Sequence, residues 1–259
     1  MKGRISRKFR ELAKKGGKAF IPYIMTGHPT LSRTRELVSI LEESGADIIE
    51  LGVPFSDPLA DGPTIQQAAL TALGQGVTLA GVIEFVRDLR KTTQIPLILM
   101  TYYNPVFKYG EERFVQDATA AGVDGVIIPD LPPDEAATLI KQGRRHGLDT
   151  IFLLAPTSNQ KRIGLVTKAA TGFLYYVSIT GITGSNLTMD AGIGSRIAQI
   201  KENCSIPVAV GFGISSPEEA AAVARFADGV IVGSAVVKKA GGPDAELRNY
   251  LGSLRRAIR

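Results

Sequence analysis

The chain is poor in the residues that would signal metal binding or disulfide chemistry. Its 259 residues include one cysteine, two histidines and no tryptophan. The lone Cys204 excludes an internal disulfide and fits a reducing cytosol. Cys204, His28 and His146 lie too far apart in sequence for zinc-ligand spacing. Long apolar runs are missing too. None approaches the ~20 residues of a membrane span, and no apolar segment follows the basic N-terminus as a signal peptide requires. Nor is there a block of like charge, since no Lys/Arg run exceeds three residues and the net charge is +5. That argues against a nucleic-acid surface and leaves attraction to a small anionic substrate open. With 44% hydrophobic and 21% charged residues, the composition is that of an ordinary globular chain with a large core.

At the N-terminus, Ile5, Phe9, Leu12 and Ala13 recur at helical spacing among Arg7, Lys8, Arg10, Lys14 and Lys15. A mitochondrial presequence has a similar look, but this stretch is short and contains Glu11. The spacing predicts a docked amphipathic helix.

Short apolar runs then recur at 19–24, 47–52, 96–101, 125–128, 150–154, 173–177, 207–210 and 229–232. Helix-like stretches separate them, among them 33–44, 79–91, 111–121, 133–145 and 217–225. Continuous Val/Ile/Leu runs alternating with helices indicate a parallel sheet. A faint repeat marks three helix-to-strand turns: Gly45-Ala-Asp47, Gly122-Val-Asp124 and Phe226-Ala-Asp228. Eight such units in this length predict a single α/β domain over 1–259, a (β/α)₈ TIM barrel preceded by the amphipathic helix. A doubly wound sheet is the competing reading.

In a barrel, the ends of strands and the loops after them build the active site. The second strand ends Asp47-Ile-Ile-Glu50-Leu-Gly-Val-Pro-Phe-Ser-Asp57-Pro-Leu-Ala-Asp61-Gly-Pro63. Side chains alternate faces, so Glu50 points with Ile48, opposite to Ile49 and Leu51. A carboxyl on an apolar face needs partners or a raised pKa, and either condition suits acid–base chemistry. Asp61 returns from the adjoining loop toward the same pocket. Asp57 reads more readily as a turn residue.

Glycine turns form a second motif: Thr183-Gly184-Ser185, Gly211-Phe212-Gly213-Ile-Ser-Ser216-Pro217 and Gly233-Ser234. The last two follow the seventh and eighth strands, where barrels often hold a phosphate. Glycine lets backbone N–H groups approach an anion at a helix N-terminus. Ser216, Pro217 and Glu219 also read as an ordinary helix cap. Tyr23, Tyr102, Phe107, Tyr175 and Phe212 could wall a flat apolar ligand or pack the core. The segment 179–195 is expected to be a second long loop. His28 is expected to serve a loop or interface, and His146 with Gly147 to end a helix.

Together these residues resemble the tryptophan synthase alpha subunit family. The run from Glu50 to Pro63 is close to that family's signature. Support extends through Ala19-Phe-Ile-Pro-Tyr23, Met100-Thr-Tyr-Tyr-Asn104-Pro, Ile128-Pro-Asp130-Leu-Pro, residues 175–184, Gly211-Phe-Gly213-Ile and Val232-Gly-Ser-Ala. The resemblance implies a barrel that cleaves indole-3-glycerol phosphate to indole and glyceraldehyde 3-phosphate. It implies no cofactor on this chain, a cytoplasmic enzyme, and a pyridoxal-phosphate-bearing beta subunit as partner in an α₂β₂ assembly. Carried over, Glu50 is the general acid/base and Asp61 the partner of the indole N–H. Gly184, Gly213, Gly233 and Ser234 would hold phosphate, with Tyr175 and Phe212 near the substrate. The chain departs from the family at His28, commonly aspartate, and Ile179, often arginine. Competing functions are a stand-alone lyase releasing indole, another phosphate-sugar barrel, and a non-catalytic scaffold.

Overall fold

The computed structural model describes residues 3–177, 191–202, 204–211 and 213–258. Within them lie strands β1 (Ala19–Met25), β2 (Ile49–Gly52), β3 (Leu97–Met100), β4 (Gly125–Ile127), β5 (Asp149–Ile151), β6 (Leu153–Leu154), β7 (Leu174–Val177), β8 (Val208–Gly211) and β9 (Gly229–Val232). Helices are α1 (Arg4–Lys14), α2 (Leu31–Glu43), α3 (Pro63–Gly74), α4 (Leu79–Leu89), α5 (Tyr103–Tyr109) and α6 (Glu111–Ala121). They continue as α7 (Ala137–His146), α8 (Gln160–Ala169), α9 (Ala191–Glu202), α10 (Pro217–Ala224), α11 (Ser234–Ala240) and α12 (Asp244–Ala257).

The strands form one sheet in the order β5-β4-β3-β2-β1-β9-β8-β7-β6, every pairing parallel. Its two edges, β5 and β6, are neighbours in sequence separated only by Phe152. The fifth expected strand therefore appears as two short ones, handing its pairing from β4 to β7. Tyr175 N–H bonds to the Phe152 carbonyl (3.1 Å) across this seam. The sheet closes on itself there, which rules out the doubly wound alternative and gives the TIM barrel.

Alternation along the strands divides the core in two. Ile21, Ile48, Ile98, Ile127, Ile151 and Ile231 fill the barrel, whereas Ile49, Leu51, Leu97, Leu99, Val208 and Val210 face the helices. Helix α1 covers the N-terminal mouth, burying Ile5 and setting Phe9 against Phe173 (ring centroids 5.6 Å). Gly125 makes room for it, since a Cβ there would lie 3.0 Å from Ile5 Cδ1. Leu12 is only partly buried and Ala13 is exposed, so the buried stripe is narrower than its spacing suggests.

The repeated aspartates have a structural task. Asp47 accepts from Phe20 N–H (3.0 Å), Asp124 from Leu97 N–H (2.9 Å) and Asp228 from Val208 N–H (2.9 Å). Each satisfies a donor at the start of the neighbouring strand and pairs with a cation: Arg255, Arg90 and Lys201 respectively. A buried carboxylate with both partners is a stable arrangement.

Helix α5 follows β3 closely and carries Tyr103 and Phe107. Two expectations need correction. Helix α7 starts at Ala137 rather than residue 133, because Pro132 and Pro133 hold a turn before it. The loop expected over 179–195 is shorter at its end, since α9 begins at Ala191; residues 178–190, including Ile179 and Gly184, lie outside the described residues. His146 and the left-handed Gly147 (φ 83°) end α7 as expected.

Candidate active site

A cleft of about 800 Å³ opens at the C-terminal ends of the strands. It brings together Glu50, Asp61, Tyr175, Gly213, Gly233 and Ser234. Of the residues singled out from sequence, Gly184 and Phe212 lie outside the described residues.

Glu50 sits near the end of β2 on the inward face, 1% exposed, and its Oε1 has no hydrogen-bond partner. Burial without compensation raises its pKa to about 8. The group is therefore a carboxylic acid at neutral pH, able to give a proton and take it back. Asp61 reaches the cleft from the loop after β2. Burial raises its pKa to about 6, against the opposing effect of a hydrogen bond from Tyr102. Tyr102 is braced in turn: its hydroxyl accepts from Ala60 N–H (2.9 Å) and its ring packs on Phe55 (5.4 Å). Near pH 7 one carboxyl is protonated and its neighbour ionised. Environments that separate two carboxyl pKa values are how acid and base roles are assigned.

Two tyrosines, Tyr23 on β1 and Tyr175 on β7, enter the cleft over glycines. Any Cβ at Gly52 would overlap the Tyr23 hydroxyl, and any at Gly211 the Tyr175 hydroxyl. Gly52 and Gly211 are thus required by close approach, one at each strand end. Burial holds both phenols well above the ordinary tyrosine pKa, so they remain neutral donors.

The far end of the cleft is built from backbone. Gly213 adopts the left-handed region (φ 75°), and Gly233 precedes α11, whose first turn has no side-chain cap. Ser216, by contrast, is spoken for. Its side chain accepts from Glu219 N–H (3.2 Å), while Glu219 accepts from Ser215 and Ser216 N–H at 2.7 and 3.0 Å. The capping reading holds for that part of the motif, and the open N–H groups narrow to the Gly213 turn and the start of α11.

Phe107 does not wall the cleft. It is 65% exposed on α5, against Tyr103. Asp57 is also outside, exposed and accepting from Ser56 Oγ (2.6 Å). His28 lies off the cleft too, its pKa lowered by burial. Sequence reasoning missed Met100 and Lys238, which both line the cleft. Met100 was available from parity with Ile98. Lys238 follows Ser234 by four residues, the same helical face.

Comparison with known proteins identifies the family. The family model for the tryptophan synthase alpha chain matches residues 9–256. The chain belongs to the tryptophan synthase alpha chain family. A tryptophan synthase alpha chain of Geobacter sulfurreducens is 51% identical over 260 residues, covering 98% of each chain. The crystal structure of tryptophan synthase subunit alpha from Legionella pneumophila is 40% identical, with a TM-score of 0.91 covering 100% of this chain and 99% of that one. A chain of Mycobacterium tuberculosis tryptophan synthase is 38% identical with a TM-score of 0.93, covering 100% and 99%. Membership of the tryptophan synthase alpha chain family thus extends over nearly the whole length, from α1 to α12.

Proposed function

We propose that Glu50 and Asp61 carry out the reaction of this family, with the Gly213 and Gly233–Ser234 backbone holding the substrate phosphate. The chain is a carbon–carbon lyase that cleaves indole-3-glycerol phosphate to indole and glyceraldehyde 3-phosphate in tryptophan biosynthesis. The observation that carries the residue roles is that two carboxyls line one cleft, Glu50 buried without a partner for Oε1 and Asp61 on the loop beside it, with burial raising their pKa values to about 8 and about 6.

The chemistry follows from those protonation states. Glu50 donates its proton to indole C3, and the positive charge that develops on the ring N–H is stabilised by the Asp61 carboxylate. Glu50, now a carboxylate, removes the proton from the glycerol hydroxyl on the carbon bonded to C3. The C–C bond breaks, its electron pair returns to the ring and an aldehyde forms. Glu50 ends as it began. Tyr175 borders the indole end. Gly184 and Phe212 complete the assignment by resemblance.

A bulky side chain at Gly213 would block the approach of an anion to backbone N–H groups and strain a left-handed turn. Gly213→Leu is expected to weaken binding of glycerol phosphate at least tenfold, about 1.4 kcal/mol, with a smaller effect on indole. Calorimetric titration of both ligands checks this, and equal weakening would place the phosphate elsewhere.

The chain acts as the alpha subunit of an α₂β₂ assembly with a pyridoxal-phosphate-bearing beta subunit, as one domain over 1–259, in the cytoplasm. The support on this chain is apolar exposure beside the active site: Leu59 (94% exposed) on the loop after β2, and Phe107 on α5. Both follow strand C-terminal ends, so a docked subunit orders the catalytic loop. Free Cys204 suits the cytoplasm. No single helix among the described residues is long and apolar enough to cross a membrane. Adding a beta subunit is expected to raise indole release at least about tenfold, ~1.4 kcal/mol of transition-state stabilisation. Asp57→Ala should reduce that stimulation more than basal turnover, as steady-state assays with and without the partner would show. Unstimulated full activity would favour the stand-alone lyase.

A further inference from the structure

The Tyr23 hydroxyl reaches the reacting end of the cleft and has no part in the steps above. Tyr23 pairs with Glu50 in the register of β1 and β2, so the two side chains project next to each other into the barrel. Tyr23 is 6% exposed and lines the cleft. Its Cβ lies by Gly233, where an added methyl would sit 3.8 Å away, and its hydroxyl rests over Gly52. Tyr23 and Glu50 line the same cleft, and Oε1 of Glu50 is buried without a hydrogen-bond partner. The charged and titratable groups facing Tyr23 are Asp61, Glu50 and Tyr102, with Tyr175 opposite. Tyr102 already serves Asp61 and Ala60.

A buried carboxyl oxygen without a partner is costly unless it is used at some stage of the cycle. Once Glu50 has protonated the substrate it becomes a buried anion needing a donor. We propose that the Tyr23 hydroxyl is a positioning group that donates a hydrogen bond to the Glu50 carboxylate formed midway through the cleavage. A charge-assisted O–H···O⁻ bond at that moment stabilises the intermediate and aims the carboxylate at the glycerol hydroxyl. The inference rests on the assignment of Glu50 given above.

Tyr23→Phe removes only the oxygen. With chemistry rate-limiting, kcat for indole release is expected to fall roughly tenfold with KM within about twofold. Because the bond favours the ionised form, its loss moves the alkaline limb of the kcat profile upward by roughly one pH unit. A merely structural tyrosine would change kcat or stability and leave that limb in place. As a second probe that keeps the hydroxyl, 3-fluorotyrosine at position 23 supplies a stronger donor and should move the limb downward. Limbs that stay put in both proteins overturn the inference. An active Glu50→Gln would instead overturn the assignment of Glu50. An inactive Glu50→Gln with unmoved limbs removes only the role of Tyr23.

Discussion

Glu50→Gln is expected to abolish indole formation and, at the same time, to make the protein more stable. The first effect follows from the two proton transfers asked of one carboxyl. General acid–base catalysis contributes about 10²–10⁴-fold, and a group acting in both steps stands at the upper end of that range or above it. The second follows from burial. Glu50 has a pKa of about 8 in the fold, against about 4.3 for an exposed glutamate. A folded-state pKa raised above the unfolded value means the native state holds the proton more tightly. Stability is then greatest below the unfolded pKa and declines as pH rises, until the folded pKa is passed. A neutral amide of the same shape escapes this decline, a difference on the order of a few kcal/mol by pH 8. Thermal unfolding of wild type and Glu50→Gln at pH 5 and pH 8 checks it: the curves should lie close at pH 5, with the mutant several degrees higher at pH 8. A mutant retaining half of wild-type turnover would sink the catalytic assignment, whatever its stability.

Asp61→Asn should bind substrate and turn over poorly. Removing one preorganised group that stabilises transition-state charge typically costs about 10²–10³-fold in kcat. An amide in place of the carboxylate offers the ring N–H a far weaker partner, while the phosphate end of the cleft is untouched. KM should therefore change little. The acid limb of the kcat profile, set in wild type by ionisation of Asp61 near pH 6, should disappear in the mutant. Steady-state kinetics across pH 5 to 9 would show both. A rise in KM with kcat intact would make Asp61 a binding residue and the charge-stabilisation step wrong.

Why Glu50 and Asp61 were legible in sequence, and Tyr23 and Lys238 much less so, has a physical basis. Glu50 is a violation of pattern, a charge on the apolar face of a strand, and patterns fail at functional sites. Asp61 lies within reach along a short loop. The barrel was legible because each strand is a continuous apolar run and each helix carries its own period. Its closure was not, since hand-over of pairing at Phe152 depends on neighbours far away in sequence. Asp47, Asp124 and Asp228 were visible as a repeat, but their bonds to Phe20, Leu97 and Val208 needed the register. The division within the glycine turns was equally hidden. Only the fold shows that Glu219 takes the N–H groups of Ser215 and Ser216, so that these two are not open to an anion. Phe107 neither walls the cleft nor packs the core, because α5 turns it to solvent.

The measurement closest to the central claim is quantification of both products from indole-3-glycerol phosphate incubated with the purified wild-type chain, alone and with a tryptophan synthase beta subunit but no serine. Indole and glyceraldehyde 3-phosphate are expected in equal amounts in both cases, at least about tenfold faster with the partner, and at background level for Glu50→Gln. Absence of indole from the wild-type chain under both conditions would contradict the account.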